Sequence, residues 1–265
     1  LRDIIISTLT KKKFFGEYTG FILYTGIAVS AAAYGAGRVN YDWQWGKIPG
    51  YLVSLQNGFH PGPLLRGLSV TLHISLVSIF FAFIIGLVSA LLRLSGSFIG
   101  RSLSYVYIES IRNTPLIVQI FFMYFAVAPI FNISAFSSAV TALTLFEGAY
   151  ISEIIRAGIL SIRKGQWEAA WSLGLGKFQT YRHVILPLAI RRVLPPLTGQ
   201  GVSLIKDSAL VSTISIYDLT MVGESIVSDT FLSFEIWFTV ALLYLMMTVP
   251  LSLFSDYVEK RFNVH

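Results

Sequence analysis

Residues 163–196 read RKGQWEAAWSLGLGKFQTYRHVILPLAIRRVLPP. The stretch lies between long apolar runs and does not belong to them. Arg163, Lys164, Glu168, Lys177, Arg182, Arg191 and Arg192 put too much charge into it for a membrane span. Its spacing predicts two short amphipathic helices around a glycine turn. Ala169, Ala170 and Leu173 share a face in the first, and Phe178, Tyr181 and Ile185 recur at helical spacing in the second. Gly174 and Gly176 supply the turn, where a residue without Cβ takes positive φ at little cost. Pro187 is expected to end or bend the second helix. Helices this short are marginal alone in water, so the segment needs a surface to pack against. The reading here is that this surface belongs to another protein.

The rest of the chain sets the context. It has 265 residues, 54% hydrophobic and only 13% charged, with a mean hydropathy of +0.68. A soluble domain carries about 25% charged residues. The fold class is therefore an all-α polytopic membrane protein. The net charge of +6 has an ordinary use in setting topology, and no nucleic-acid partner is expected. The chain contains no cysteine, which excludes disulfides, zinc–thiolate sites and thiol catalysis. Leu1 to Lys13 has no apolar core ending in small residues, so no cleavable leader is expected there.

Six apolar runs follow one another: Phe14–Gly37, Gly67–Leu92, Tyr105–Val127, Ser134–Leu160, Leu188–Ile216 and Phe234–Phe254. Each is long enough, at about 1.5 Å per residue, to cross a ~30 Å hydrocarbon core. Arg38–Leu65 is a polar, turn-rich connection whose YDWQW run (Tyr41–Trp45) suits a membrane–water interface. Residues 217–233, with Asp218, Glu224 and Asp229, read as an acidic connection. Six spans place both ends on one side. One set of connections holds Lys11–Lys13, Arg93, Arg101, the bases of 163–192, Lys260 and Arg261. The other holds Arg38, Lys47 and Arg66 against Asp42, Asp218, Glu224 and Asp229. The bias makes the first set, with both termini, cytoplasmic.

The central stretch also carries a spaced pattern. Glu168-Ala169-Ala170, three residues, Gly174, nine residues and then Val184-Ile185-Leu186-Pro187 resembles the EAA loop of permease subunits in bacterial ATP-binding-cassette (ABC) importers. The family pattern closes on Ile-x-Leu-Pro, and Val184 stands where Ile is usual. Ala149–Leu175 (AYISEIIRAGILSIRKGQWEAAWSLGL) and Ser203–Ser215 (SLIKDSALVSTIS) are similar to the polar-amino-acid branch. The resemblance runs from about Leu65 to the C-terminus.

It implies a type I importer fold of five helices plus an extra N-terminal helix. Residues 1–64 would form that helix and an extracytoplasmic connection. Residues 65–265 would form the importer transmembrane domain, with the EAA coupling loop at 163–187. Glu168, Ala169, Ala170, Gly174, Leu186 and Pro187 would couple to an ATPase. The implied function is import of polar amino acids across the bacterial inner membrane. The implied partners are two P-loop ATPase subunits that carry ATP and Mg, a second permease (the same chain or a close relative), an extracytoplasmic amino-acid-binding protein and membrane lipid. No cofactor is expected in the chain itself: it has no Gly-x-x-x-x-Gly-Lys-Ser/Thr stretch.

Charges inside the spans are the other candidates, because a charge near the midplane costs about 2.5–3.5 kcal/mol unless paired or hydrated. Glu147 lies about 13 residues, or ~20 Å, from the end of its span. Lys206 reaches a similar depth on the next helix, so the two could meet. Glu147, Lys206, Asp207 and Ser208 are candidates for a substrate path, touching the ammonium and carboxylate of an amino acid. The competing reading is a structural ion pair, with the serine bonded one turn back. Glu153 and Arg156, spaced i, i+3, are expected to pair as a gate or a structural bridge. Glu109, Arg112, Asn113, Thr114 and Pro115 read as the start of the third span. The four histidines fall on different segments, and no nucleophile–base or metal-ligand constellation points to an enzyme. The functional alternative is an ion-coupled secondary transporter using Glu147 and Lys206 as a relay.

Overall fold

The computed structural model describes residues 41–54 and 60–262, together with 24–27, 30, 34, 35 and 37. It contains two compact units, Leu1–Gln44 and Trp45–His265. In the first, the described positions from 24 to 37 are helical, and Tyr41 meets Trp43 edge to face at 5.3 Å. Most of the expected first span, Phe14–Gly37, lies outside the described residues.

The second unit opens with a short helix, α1 (Ile48–Leu52), and a minimal antiparallel pair, β1 (Val53–Ser54) with β2 (His60–Pro61). Among the described residues, three long helices are apolar enough to cross a membrane singly: α2 (Pro63–Leu94), α6 (Ala135–Leu160) and α11 (Ser233–Phe262). Two bent pairs raise the number to as many as five: Phe98–Arg112 with Leu116–Phe131, and Lys177–Ile214 with Leu219–Thr230. These elements make the all-α membrane fold expected from the composition.

Capping chemistry fixes most boundaries. Pro63 opens α2 at a position whose N–H has no helical partner anyway. The Ser134 hydroxyl accepts the Ser137 N–H at 3.2 Å and starts α6 where the apolar run begins. Asn132, in left-handed conformation (φ 51°), closes the helix before it.

The third expected span, Tyr105–Val127, is not one helix. α3 (Phe98–Arg112) stops and the chain turns by 108° before α4 (Leu116–Phe121) continues through a π turn at Phe122–Val127 into α5 (Ala128–Phe131). Pro115 is the cause: it donates no hydrogen bond and disfavours helical geometry at Thr114. Pro115 caps α4, so only the second half of the 109–115 motif starts a span.

Pro187 does not end its helix either. α8 (Lys177–Thr180) runs through a π turn at Tyr181–Ile185 straight into α9 (Leu186–Asp207). The wider i→i+5 bonding re-registers the ladder around the donor that proline lacks. The second helix of the loop and the fifth span are therefore one element, prolonged by a 3₁₀ stretch over Ser208–Ile214. The supposed acidic connection is also helical: α10 (Leu219–Thr230) is capped by Asp218, whose carboxylate accepts the Met221 N–H at 2.9 Å. It buries Leu219, Val222, Gly223 and Ile226.

Where helices cross, small residues let the backbones approach. A Cβ on Gly86 of α2 would lie 2.6 Å from Ile151 Cγ2 and 2.9 Å from the Gly148 carbonyl of α6. A Cβ on Gly158 of α6 would lie 2.1 Å from Val193 Cγ2 of α9. Around these crossings Ala82, Ala90, Ile151, Ile155 and Val193 form one buried cluster. Gly86→Val therefore overpacks the α2–α6 contact and is expected to destabilise the fold by about 1–3 kcal/mol. Thermal unfolding of the detergent-solubilised protein should show the loss, while Leu76→Val on the exposed side of α2 leaves the transition where it is.

Candidate functional site

The loop expected from the sequence is a helical elbow. Its first arm is α7 (Lys164–Ser172) and its second is α8. Gly174 joins them at φ +76°. The Gly174 N–H donates to the Trp171 carbonyl at 2.9 Å and the Leu175 N–H to the Ala170 carbonyl at 3.1 Å. This is a Schellman turn, which calls for a residue tolerant of positive φ at this one place. The spacing from Ala170 to Gly174 is thus the spacing from acceptor to left-handed residue. Beyond the turn, the Gln179 side chain accepts the Gly176 N–H at 3.1 Å and caps α8.

One side of the elbow is anchored. Ala170 is buried, and Ile162, Ile185 and Ala189 form a small core with Trp167 packed against it. Trp167 meets the Tyr181 ring edge-on at 5.1 Å. Arg192 of α9 donates to the Ser161 carbonyl, and to its hydroxyl at 2.8 Å, tying the end of α6 to α9. The other side is bare. Leu173 is 80% exposed, Phe178 75% and Trp171 56%, with Glu168, Ala169, Leu186 and Pro187 also exposed. These large apolar side chains stand exposed on a charged segment.

Deeper in the bundle, Glu147 of α6 is only 1% exposed and accepts a 2.9 Å bond from Gln200 Nε2 of α9. It does not meet Lys206, which is exposed. Among the described residues, the ion pairs within 4.0 Å all involve Glu153, so neither Glu147–Lys206 nor Lys206–Asp207 is one. The reason is angular. Asp207 follows Gln200 by seven residues, two turns, and shares its face, whereas Lys206 is rotated off it. Glu147 is held instead by Gln200, an uncharged residue that charge patterning does not flag, and half-buried Asp207 lies two turns further along the Gln200 face. That i, i+7 relation was the signal available. Ser208 is buried and spends its hydroxyl on the Ile205 carbonyl at 2.8 Å.

Glu153 and Arg156 do pair: Nη2 and Nε of Arg156 donate to the two carboxylate oxygens at 2.7 and 3.2 Å. Arg93 from α2 also donates to Glu153, and Arg112 from α3 approaches to 4.0 Å. Arg93 and Arg112 lie over the rings of Tyr105 and Tyr150, at 5.4 and 5.3 Å. The expected pair is one edge of a clamp joining three helices.

Comparison with known proteins agrees with this architecture. Residues 82–264 match the family described as "Binding-protein-dependent transport system inner membrane component". The glutamine transport system permease protein GlnP of Escherichia coli (strain K12) is 42% identical over 231 residues, 85% of this chain and 100% of that protein. The L-cystine transport system permease protein TcyB of Bacillus subtilis (strain 168) is 39% identical over 82% of this chain and 92% of its own length. Among solved structures, an amino acid ABC transporter crystallised with histidines is 37% identical, with a TM-score of 0.71 over 75% of this chain and 94% of that one. The MetNI methionine ABC transporter, at 23% identity and a TM-score of 0.62, shares the fold. These relatives set aside the ion-coupled alternative, as does the separation of Lys206 from Glu147. The chain belongs to the inner membrane component family of binding-protein-dependent transport systems, and it is the permease subunit of an ABC importer rather than an enzyme.

Proposed function

We propose that the protein imports polar amino acids, and that the 163–187 elbow couples it to a separate ATPase subunit. The observation that carries the coupling is the elbow itself. It is anchored on one side through Ala170, Ile162 and Ile185 and presents Trp171, Leu173 and Phe178 on the other. Glu168, Ala169, Gly174, Leu186 and Pro187 contribute to that docking surface, and small side chains let the partner approach. Two ATPase subunits, holding ATP and Mg, would serve a pair of permeases, this chain twice or with a close relative. An extracytoplasmic amino-acid-binding protein would deliver the substrate. The relatives named for glutamine and cystine transport support an amino-acid substrate.

In this reading both termini and the elbow are cytoplasmic, as the distribution of basic residues favours. Residues 1–64 are an added N-terminal helix and extracytoplasmic connection, and 65–265 are the importer transmembrane domain. The family match, beginning at residue 82, is compatible with that division. The substrate path passes the polar group of Glu147, Gln200 and Asp207, which can meet an ammonium and an amide. Ser208 shapes the wall there, and Lys206 lies to the side. Glu153 and Arg156 hold the helix ends together and act as a gate only if the clamp opens.

Mechanical transmission follows from continuity. The second arm of the elbow is the start of the helix that carries Gln200, about 23 residues or ~35 Å further on. The first arm follows α6, which carries Glu147. Displacing the elbow thus moves both halves of the buried polar pair.

Gly174 provides the sharpest test of coupling. Gly174→Asn, which tolerates left-handed geometry, should retain most of the uptake measured with the ATPase in proteoliposomes. Gly174→Val, strained by about 1–2 kcal/mol or more, should insert normally yet lose about tenfold in ATPase co-purification and uptake. Equal uptake by both variants removes the elbow from the mechanism. For the path, Glu147→Gln should leave ATPase co-purification intact and reduce amino-acid uptake about tenfold or more, the scale of a lost charged contact. Unchanged uptake would make Glu147 structural.

A further inference from the structure

Charge does not balance at the end of the bundle nearest the elbow. Arg93, Arg112 and Arg156 gather about one carboxylate, that of Glu153. Glu153 accepts one bond from Arg93 and two from Arg156. A guanidinium carries five N–H donors, so most of theirs are directed elsewhere. Arg93 and Arg156 also line a cavity of about 750 Å³ together with a further cation, Arg101. Arg101 is exposed and uses one donor on the Ser95 carbonyl at 3.2 Å. No carboxylate lines this cavity among the described residues. Its remaining wall is mainly apolar, with Phe98, Val106 and Leu160 all exposed. A neighbouring cavity of about 460 Å³ shares Leu94 and Leu160 with it and reaches Trp167 and Tyr181 of the elbow.

We propose that this cavity binds an anionic phospholipid. The phosphate would lie on Arg101 and on the remaining donors of Arg93 and Arg156, and the acyl chains along Phe98, Val106 and Leu160. Three features select this occupant. Planar guanidinium groups match phosphate oxygens in a fork geometry. The cations sit where the apolar runs of α2 and α6 end, at Leu94 and Leu160, which is the headgroup level for a membrane-spanning helix. Basic pockets between helices at that level are the usual seat of anionic headgroups. A free inorganic anion would gain nothing from the apolar wall. The proposal rests on the membrane placement of α2 and α6, not on the transported substrate, so its failure would leave the transport reading untouched. The bound lipid would sit beside the elbow, making the membrane part of the surface against which the elbow moves.

The test uses the purified full-length chain, exchanged into micelles doped with equal amounts of phosphatidylglycerol and phosphatidylcholine, and native mass spectrometry of the retained lipid. The wild type should retain phosphatidylglycerol in preference. Arg101→Ala should lower that preference about fivefold, the effect of about one interfacial charge, and Arg101→Lys should restore part of it. Lys260→Ala, a charge in the last turn of α11, should leave it unchanged, and an unaltered melting temperature shows that Arg101→Ala still folds. Equal retention of both lipids by the wild type overturns the proposal. So does a preference indifferent to Arg101→Ala, or one lowered as much by Lys260→Ala. Release of the lipid by millimolar inorganic phosphate would make the ligand a free anion instead. Because the chain has no cysteine, Arg101→Cys reports on a protein neighbour: a spontaneous interchain disulfide that abolishes lipid retention would assign the cavity to a second copy.

Discussion

Hydrocarbon offers no water to a backbone group released from its helix, so each irregularity in a membrane-spanning element must be covered by the protein itself. This chain breaks its helices repeatedly and covers the breaks with side chains. At the 113–115 corner, Gln119 Nε2 donates to the Ile111 carbonyl at 2.8 Å and the Thr114 carbonyl at 3.1 Å, and Thr114 Oγ1 donates to Ser110 at 2.9 Å. Inside α9, Pro195 and Pro196 each remove a donor. There the Thr198 hydroxyl donates to the Pro195 carbonyl at 2.7 Å and lies 2.7 Å from Ser255 of α11, joining two helices at the irregular turn. Over the 3₁₀ stretch, Ser208, Ser212 and Thr213 each bond a carbonyl three residues back. The breaks let the bundle contain corners and polar pairs that straight helices would not.

The same solvent decides where charge can sit. The three arginines about Glu153 stand at helix ends, and two of them also lie over tyrosine rings, where a cation is attracted to the ring face. A single carboxylate holding α2, α3 and α6 ends together is stronger in a partly desolvated site than on an open surface. Glu147 is handled differently. Among the described residues no cation pairs with it within 4.0 Å, and its carboxylate accepts a bond from the amide of Gln200.

Much of this was legible in the sequence because local chemistry determined it. The apolar run located α6 to within a residue, and the glycine spacing announced the elbow. What was illegible depended on tertiary partners or on competition between local signals. Asp218, Glu224 and Asp229 suggested a polar connection, but Asp218 is a cap and the apolar residues between them make a buried face. Pro115 and Pro187 look alike in sequence. One turns the chain sharply and the other is absorbed by a π turn, because only the first follows a helix end at Asn113 and Thr114. Arg93 carried an obvious topological meaning that hid its bond to Glu153, sixty residues away. Gln200 was overlooked because it is uncharged, although its face was fixed by Asp207.

The elbow illustrates why a short motif can be so strictly spaced without any chemistry in it. Its glycine is set by the Schellman bond to the Ala170 carbonyl, and Ala170 is itself buried, as are Ile162, Ile185 and Ala189, which form a small core. Ile185 closes the π turn and Ala189 lies in α9 just beyond Pro187, so the π turn before that proline sets their relative rotation. Shifting the glycine by one residue would move the left-handed turn off its acceptor. Moving the π turn would change the relative rotation of Ile185 and Ala189. Either change would disturb the anchored side of the elbow, whose exposed residues include Trp171, Leu173 and Phe178. The motif is therefore best understood as the condition for the elbow's local geometry, and exposed residues such as Trp171, Leu173 and Phe178 need not be part of it.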